Sequence, residues 1–164
     1  MSVVAVKVTD DKIIIGADSI IAYGWTQEKD KLAKLEEVNG MVIGSVGMAQ
    51  EGALFRVFCR TRKPREATDE AIVDFMSDFQ DWLNDKTGES SVENGYIFVY
   101  DKKVFNIEGF YVKQVTDYAA IGAGMDFALA ALYLGKTVKD SIKAACHLSV
   151  YCEEPINLIK INKK

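Results

Sequence analysis

The stretch IIIGADS at residues 13–19 predicts a buried strand in the middle of the fold. Its first five residues are apolar at every position, which is typical of a strand that is covered on both faces. A second apolar run, VVAVKV at residues 3–8, precedes it across the polar turn at residues 9–12. The two runs are predicted to pair as an antiparallel hairpin in the middle of a layered fold.

Outward from this hairpin, the predicted elements come in groups of strands and pairs of helices. The turn Asn39-Gly40 between two apolar runs predicts another hairpin. Thr137 and Asp140 have the spacing of a capping box and predict a helix start. Such grouping predicts an α+β or layered α/β/β/α domain that spans residues 1–164. In chain order, the further strands are predicted at 32–38, 41–46, 96–100, 103–107, 110–112 and 156–161, and the helices at 49–59, 69–83, 125–134 and 137–150.

Composition bounds the class of protein. The chain has 164 residues, of which 49% are hydrophobic and 27% are charged, and its net charge is −4. These values exclude a disordered chain and give no reason to expect a nucleic acid or membrane partner. The first residues lack a signal-peptide layout, and the chain has only three cysteines. We therefore expect reduced thiols and a cytoplasmic location.

The single histidine restricts the possible chemistry. His147 lies in a helical pattern next to Cys146, which would face another side of that helix, so a histidine-based catalytic triad is not expected. Cys146, His147 and Cys152 lack the paired spacing of a zinc site. The sequence therefore predicts no metal and no cofactor, and an enzyme with another kind of base.

Several strings, in this order and spacing, resemble the proteasome β-subunit and HslV peptidase family of N-terminal-nucleophile hydrolases. The resemblance covers nearly the whole chain. It implies a four-layer αββα sandwich, in which two antiparallel sheets lie between pairs of helices. The strings are AVKV near the start, IIIGADS at 13–19, KLAKL at 31–35, GSVGMA at 44–49 and AIGAGMDFALAAL at 120–132.

The resemblance implies a catalytic set. In this family an N-terminal hydroxyl residue attacks a peptide carbonyl while its own α-amine serves as general base. Carried over, the nucleophile is Ser2 after removal of Met1, the lysine that keeps the field positive is Lys34, and its anchor is Asp18. The backbone N–H groups of the turn Gly47-Met48 are expected to stabilise the oxyanion.

The resemblance also implies a substrate and partners. Ile21, Val46 and Gln50 are expected to border the pocket for the substrate side chain before the cut, with a preference for apolar side chains. The implied substrate is a peptide or an unfolded protein. The implied assembly is a homo-oligomeric ring that an ATP-dependent unfoldase could feed.

Three departures from the family pattern leave alternatives open. If Met1 is retained, Ser2 has an amide nitrogen and no amine base. The AVKV string matches the family best in a register that would place Met1 at the nucleophile. Ala123 stands where the family has a supporting serine, and Ser149 where proteasomal members have an aspartate. A catalytically inactive ring subunit, scaffold or binding protein is therefore one alternative, and an amidase of small molecules is another.

Overall fold

The computed structural model describes residues 2–29 and 34–164. The predictions that concern Met1, and those for Leu32 and Ala33 at the start of the predicted strand 32–38, lie outside the described residues.

Two antiparallel sheets form the body of the protein. The first has the strand order β5-β6-β7-β8-β9, and the second has the order β10-β1-β2-β11. A separate two-stranded hairpin, β3-β4, follows the second strand of the chain. The strands are β1 (Val4–Val8), β2 (Lys12–Ala17), β3 (Ile20–Tyr23), β4 (Thr26–Lys29), β5 (Leu35–Val38), β6 (Met41–Val46), β7 (Gly95–Tyr100), β8 (Lys103–Glu108), β9 (Tyr111–Val115), β10 (Tyr118–Ile121) and β11 (Asn157–Asn162).

Within the described part of the chain, four helices cover the outer faces of the two sheets. Helices α1 and α2 pack on the five-stranded sheet, and α3 and α4 pack on the four-stranded sheet. The expected capping residue Thr137 accepts a hydrogen bond from the Asp140 N–H at the start of α4. The helices are α1 (Ala49–Cys59), α2 (Asp69–Thr87), α3 (Met125–Tyr133) and α4 (Val138–Leu148).

Three apolar layers hold these elements together and confirm the predicted αββα sandwich. An aromatic layer lies between the first helix pair and the five-stranded sheet, where Phe55, Phe58 and Phe79 pack together. An aliphatic layer lies between the two sheets, and a third layer lies under α3 and α4. Consecutive β1 residues alternate between the second and third layers, because side chains of a strand point to opposite faces. The all-apolar pattern of β1 and β2 therefore reflects burial on both faces.

The two sheets approach each other closely at Gly44 in β6. A Cβ atom at this position would lie 2.5 Å from Val4 Cγ1 and 3.3 Å from Ile15 Cδ1. Only glycine fits at such a distance without a shift of one sheet. The approach holds the start of β1, and with it the N-terminal residues, against the strand that leads to the predicted oxyanion turn.

Three strands were not predicted from the sequence. The residues of β4 are exposed along its whole length and carry no apolar alternation, so they gave no strand signal. Its partner β3 is short and lies directly after Asp18. The sequence indicates residues 118–121 only as the segment before the glycine turn. These residues form β10, which pairs with β1 at the sheet edge, with Ile121 opposite Val4. The hairpin turn at Asn39 and Gly40 is confirmed, with φ of 51° and 75°.

Candidate active site

A cleft of about 420 Å³ opens between hairpin β3-β4 and the turn that follows β6. The structure brings the sequence-predicted site residues together here. The predicted nucleophile, the lysine, the oxyanion turn and the substrate pocket all line the cleft, and Asp18 lies buried beside Lys34. The lining residues are Ser2, Ile20, Ile21, Ala22, Tyr23, Lys34, Ser45, Val46, Gly47, Met48, Ala49, Gln50 and Asn94.

Asp18 is the buried acceptor at the base of the cleft, and none of its surface is exposed. Its Oδ1 atom accepts hydrogen bonds from Lys34 Nζ and from the Val3 N–H, both at 2.8 Å. Its Oδ2 atom accepts from the N–H groups of Ile20 at 3.3 Å and Glu153 at 3.2 Å. Asp18 therefore ties the N-terminal segment, strand β3 and the segment before β11 to one carboxylate.

Lys34 places a cation at the cleft. The residue is only 7% exposed, and its ammonium pairs with Asp18 at 2.8 Å. Burial lowers the pKa of Lys34 below the usual 10.5, and the neighbouring Asp18 carboxylate opposes this shift. Lys34 therefore loses its proton more readily than a surface lysine, and its contact with Asp18 limits this effect.

Ser2 is held by its main chain at the cleft wall. The residue is 3% exposed, and its C=O accepts a hydrogen bond from the Gly124 N–H at 3.1 Å. The next residue, Val3, bonds Asp18 through both its N–H and its C=O. A Cβ atom at Gly122 would lie 2.4 Å from the Ser2 carbonyl oxygen, so this close approach requires glycine. The described residues therefore place Ser2 in the lining of the same cleft as Lys34.

The turn Gly47-Met48 is built differently from the prediction. Gly47 has a φ of 121°, a conformation that favours glycine. The Met48 N–H, predicted as an oxyanion donor, instead donates to Asn94 Oδ1 at 2.6 Å. The Gly47 N–H forms no hydrogen bond with another described residue. Of the two predicted donors, the Gly47 N–H is therefore the one left for an oxyanion.

The sequence did not indicate two polar residues next to this turn. Asn94 is 2% exposed, and its Nδ2 donates to the Met48 C=O at 2.8 Å. Glu51, in the first turn of α1, accepts hydrogen bonds from the backbone N–H groups of Glu93 and Asn94 and from the Tyr96 hydroxyl. Burial and the Glu51 carboxylate raise the pKa of Tyr96, so its hydroxyl remains a donor. Asn94 lies in what the sequence presents as a polar loop, 43 residues from Glu51.

Comparison of the fold with solved structures gives extensive matches, whereas no protein-family model matches the sequence and the curated proteins give no sequence match. Thiobacillus denitrificans BPH superposes with a TM-score of 0.88 at 16% identity, over 99% of this chain and 98% of that chain. The same protein in complex with epoxomicin gives a TM-score of 0.87 at 16% identity, over 99% of both chains. Eukaryotic HslV from Trypanosoma brucei gives 0.76 at 17% identity, over 98% and 99%. The chain has a proteasome β-subunit and HslV-like fold.

In this HslV-like fold, the cysteines and the histidine lie outside the cleft lining. Burial raises the pKa of Cys152 to about 11 and that of Cys146 to about 12, so both thiols stay protonated at neutral pH. His147 is exposed on α4. Across residues 2–29 and 34–164, no group of histidine, cysteine and acidic side chains is arranged to hold a metal ion.

None of the helices described in this HslV-like fold is both long and apolar enough to cross a membrane.

Proposed function

We propose that the chain is a peptidase subunit that hydrolyses peptide bonds with Ser2 as its N-terminal nucleophile after removal of Met1. One observation carries the proposal: Ser2 shares a cleft with Lys34, whose ammonium is bound to the fully buried Asp18. A buried cation beside a hydroxyl residue lowers the cost of charge at that hydroxyl. The α-amine of Ser2 supplies the base that the histidine outside the cleft does not.

The reaction begins when Ser2 Oγ attacks the carbonyl carbon of the scissile peptide bond. The Ser2 α-amine accepts the hydroxyl proton, and the Lys34 ammonium stabilises the developing alkoxide. The carbonyl oxygen becomes the oxyanion and accepts a hydrogen bond from the Gly47 N–H. The intermediate collapses as the C–N bond breaks, and the proton on the α-amine passes to the leaving amine. Water then attacks the ester with the α-amine as base, which releases the acid and restores Ser2.

The substrate of this site is a peptide or an unfolded protein with an apolar side chain before the cut. Ile21 and Val46 give the cleft apolar walls, and Gln50 adds an amide at its border. The structural neighbour BPH binds epoxomicin, and we expect the same compound to bind this cleft. A panel of fluorogenic peptides that favoured acidic or basic residues at this position would contradict the apolar preference.

We propose a homo-oligomeric ring in the cytoplasm as the working form, with an ATP-dependent unfoldase as a possible partner. Large apolar side chains lie on the surface at the ends of α3 and α4, where Tyr133 is 78% exposed and Val150 is 85% exposed. Trp25, at the tip of hairpin β3-β4, is fully exposed. Exposed apolar side chains of this size suit contacts between subunits.

A non-catalytic subunit is the second candidate function, and Ala123 favours it. Ala123 lies between Gly122 and Gly124, the two residues that contact the Ser2 carbonyl. It brings a methyl group where the resemblance implies a hydroxyl. Under this alternative, the protein forms the assembly without Ser2-dependent hydrolysis. An amidase of small molecules would keep the dependence on Ser2 but would prefer a short amide over a peptide.

The pH dependence of kcat/KM tests the proposed general base. The rate should rise as the Ser2 α-amine loses its proton, near the ordinary α-amine pKa of about 7.7–8.0. It should fall again at a pH below 10.5, because burial lowers the pKa of Lys34 and the neutral amine no longer stabilises the alkoxide. A guanidinium stays charged through this range, so Lys34→Arg should lose the descending limb. A profile that stays flat from pH 6 to pH 9 would contradict the α-amine as base.

A further inference from the structure

We propose that Asn94, held in place by Glu51, is the positioning residue that fixes the oxyanion turn and leaves the Gly47 N–H as its donor. The inference rests on the proposed peptidase function. It starts from the contact that the sequence did not indicate, in which the Asn94 side chain binds the backbone of Met48.

The Asn94 side-chain amide forms hydrogen bonds with both the N–H and the C=O of Met48, and we call this pair of bonds the clamp. Its Oδ1 atom accepts from the Met48 N–H at 2.6 Å, and its Nδ2 donates to the Met48 C=O at 2.8 Å. Both polar atoms of the side chain are used, so its orientation is fixed. A Cβ atom at Gly47 would lie 2.0 Å from Asn94 Oδ1, which means that the clamp requires glycine at this position.

This clamp determines what the turn can offer to a substrate. The Met48 N–H already donates to Asn94, and so it cannot donate to an oxyanion unless that hydrogen bond breaks. The bonds to Asn94 hold the peptide plane between Gly47 and Met48. The backbone of Gly47, with its φ of 121°, connects this plane to the peptide plane between Val46 and Gly47. That preceding plane carries the Gly47 N–H. A donor held in position before the reaction stabilises an oxyanion far better than one that must reorient.

Glu51 in turn fixes the backbone of Asn94. Its Oε1 atom accepts from the Asn94 N–H at 3.0 Å and from the Tyr96 hydroxyl at 2.8 Å, and its Oε2 atom accepts from the Glu93 N–H at 2.9 Å. The ring of Tyr96 is itself fully buried, and its centroid lies 4.4 Å from the centroid of the Phe55 ring. Three donors converge on one carboxylate, and a glutamine could satisfy them only in part because one of its two polar atoms is a donor.

A series of hydrogen bonds therefore connects α1 to the turn: Glu51 in α1 binds Asn94, and Asn94 binds Met48. The bond between Glu51 and Asn94 is buried, with Glu51 8% exposed and Asn94 2% exposed, and the bonds from Asn94 to the exposed residue Met48 are partly buried. Partly broken buried networks lose more than one bond, because the remaining donors stay unpaired. A change at Glu51 should thus reach the oxyanion turn although Glu51 makes no bond to Met48 in this arrangement.

Peptide hydrolysis and amide exchange together test this inference. In Asn94→Ala we expect kcat to fall by about 10- to 100-fold while KM changes by less than about threefold, since the lost stabilisation belongs to the transition state. Glu51→Gln, which keeps the shape of the side chain, should lower kcat in the same direction by about fivefold or more. In both variants, hydrogen–deuterium exchange at the Met48 amide should become at least about 10-fold faster.

Asn39→Gly is the matched control. Asn39 also holds backbone carbonyls through its amide, those of Cys59 and Arg62, but it lies in the turn at the other end of β6. Its positive φ suits glycine, and we expect kcat and the exchange at Met48 to stay unchanged in this variant.

The outcomes separate this inference from the proposed function. If the wild type hydrolyses peptides in a Ser2-dependent way and Asn94→Ala keeps its kcat within about twofold, the positioning role is wrong and the peptidase function stands. A loss of kcat without faster exchange at Met48, or a rise in KM alone, would also overturn the positioning role. If the wild type shows no Ser2-dependent hydrolysis, the proposed function itself fails.

Discussion

Ser2→Ala is expected to reduce kcat for peptide hydrolysis by about 10⁴-fold or more, to the background of the assay. In the proposed mechanism the hydroxyl of Ser2 forms the covalent bond to the substrate, and the α-amine of the same residue is the base. Cys146 and Cys152 cannot substitute, because burial raises their thiol pKa values to about 12 and about 11. Initial rates on a fluorogenic peptide with an apolar residue before the cut measure the effect.

Two control variants make this comparison specific. Ser77→Ala removes an exposed hydroxyl on α2 and should leave the rate unchanged. Ser2→Thr keeps a hydroxyl at the same position and should retain activity within about 10-fold. Hydrolysis by Ser2→Ala at the wild-type rate would contradict Ser2 as the nucleophile and would favour the non-catalytic candidate or a contaminating peptidase.

Asp18→Ala is expected to lower the free energy of unfolding by about 3–5 kcal/mol and to abolish hydrolysis. The substitution leaves the Lys34 ammonium buried without its partner at 2.8 Å. It also removes the acceptor of the three backbone N–H groups of Val3, Ile20 and Glu153. Denaturant unfolding followed by far-UV circular dichroism measures the loss of stability.

The surface pair Lys86–Asp85 is a close control for this prediction. Its Nζ–Oδ2 distance is also 2.8 Å, but both side chains are at least half exposed, so Asp85→Ala should change stability far less. Lys34→Met should be destabilising as well, because it leaves the Asp18 charge buried. The double variant Asp18→Ala, Lys34→Met should lose less stability than the sum of the two single variants, since the two residues interact directly. Additive losses would contradict a coupled buried pair.

The layered core could be predicted from the sequence because its pattern is local. The apolar runs that form β1 and β2 are buried on both faces. Asn39 and Gly40 are residue types that readily adopt the positive φ angles of a tight hairpin turn. Asp18 and Lys34 were named because their strings resemble a known family, and the structure places them 2.8 Å apart. The resemblance thus located the buried pair, whereas the residue pattern located the sheets.

The rest of the site depends on contacts between distant residues. Strand β4 is polar and exposed, so its place in a hairpin follows from pairing with β3 and not from its own sequence. Asn94 is separated in the sequence by 46 residues from Met48 and by 43 residues from Glu51. Local periodicity cannot predict hydrogen bonds between residues so far apart. For the same reason, the hydrogen bond from the Met48 N–H to Asn94 could not be predicted from the sequence.

Removal of Met1 determines whether Ser2 has the α-amine that the proposed mechanism requires. We would measure the intact mass of the protein purified from its native host beside its rate of peptide hydrolysis. We expect a chain that lacks Met1 and hydrolyses the peptide, with no hydrolysis by Ser2→Ala. A chain that retains Met1, or one that lacks Met1 but does not hydrolyse peptides, would contradict an N-terminal serine peptidase.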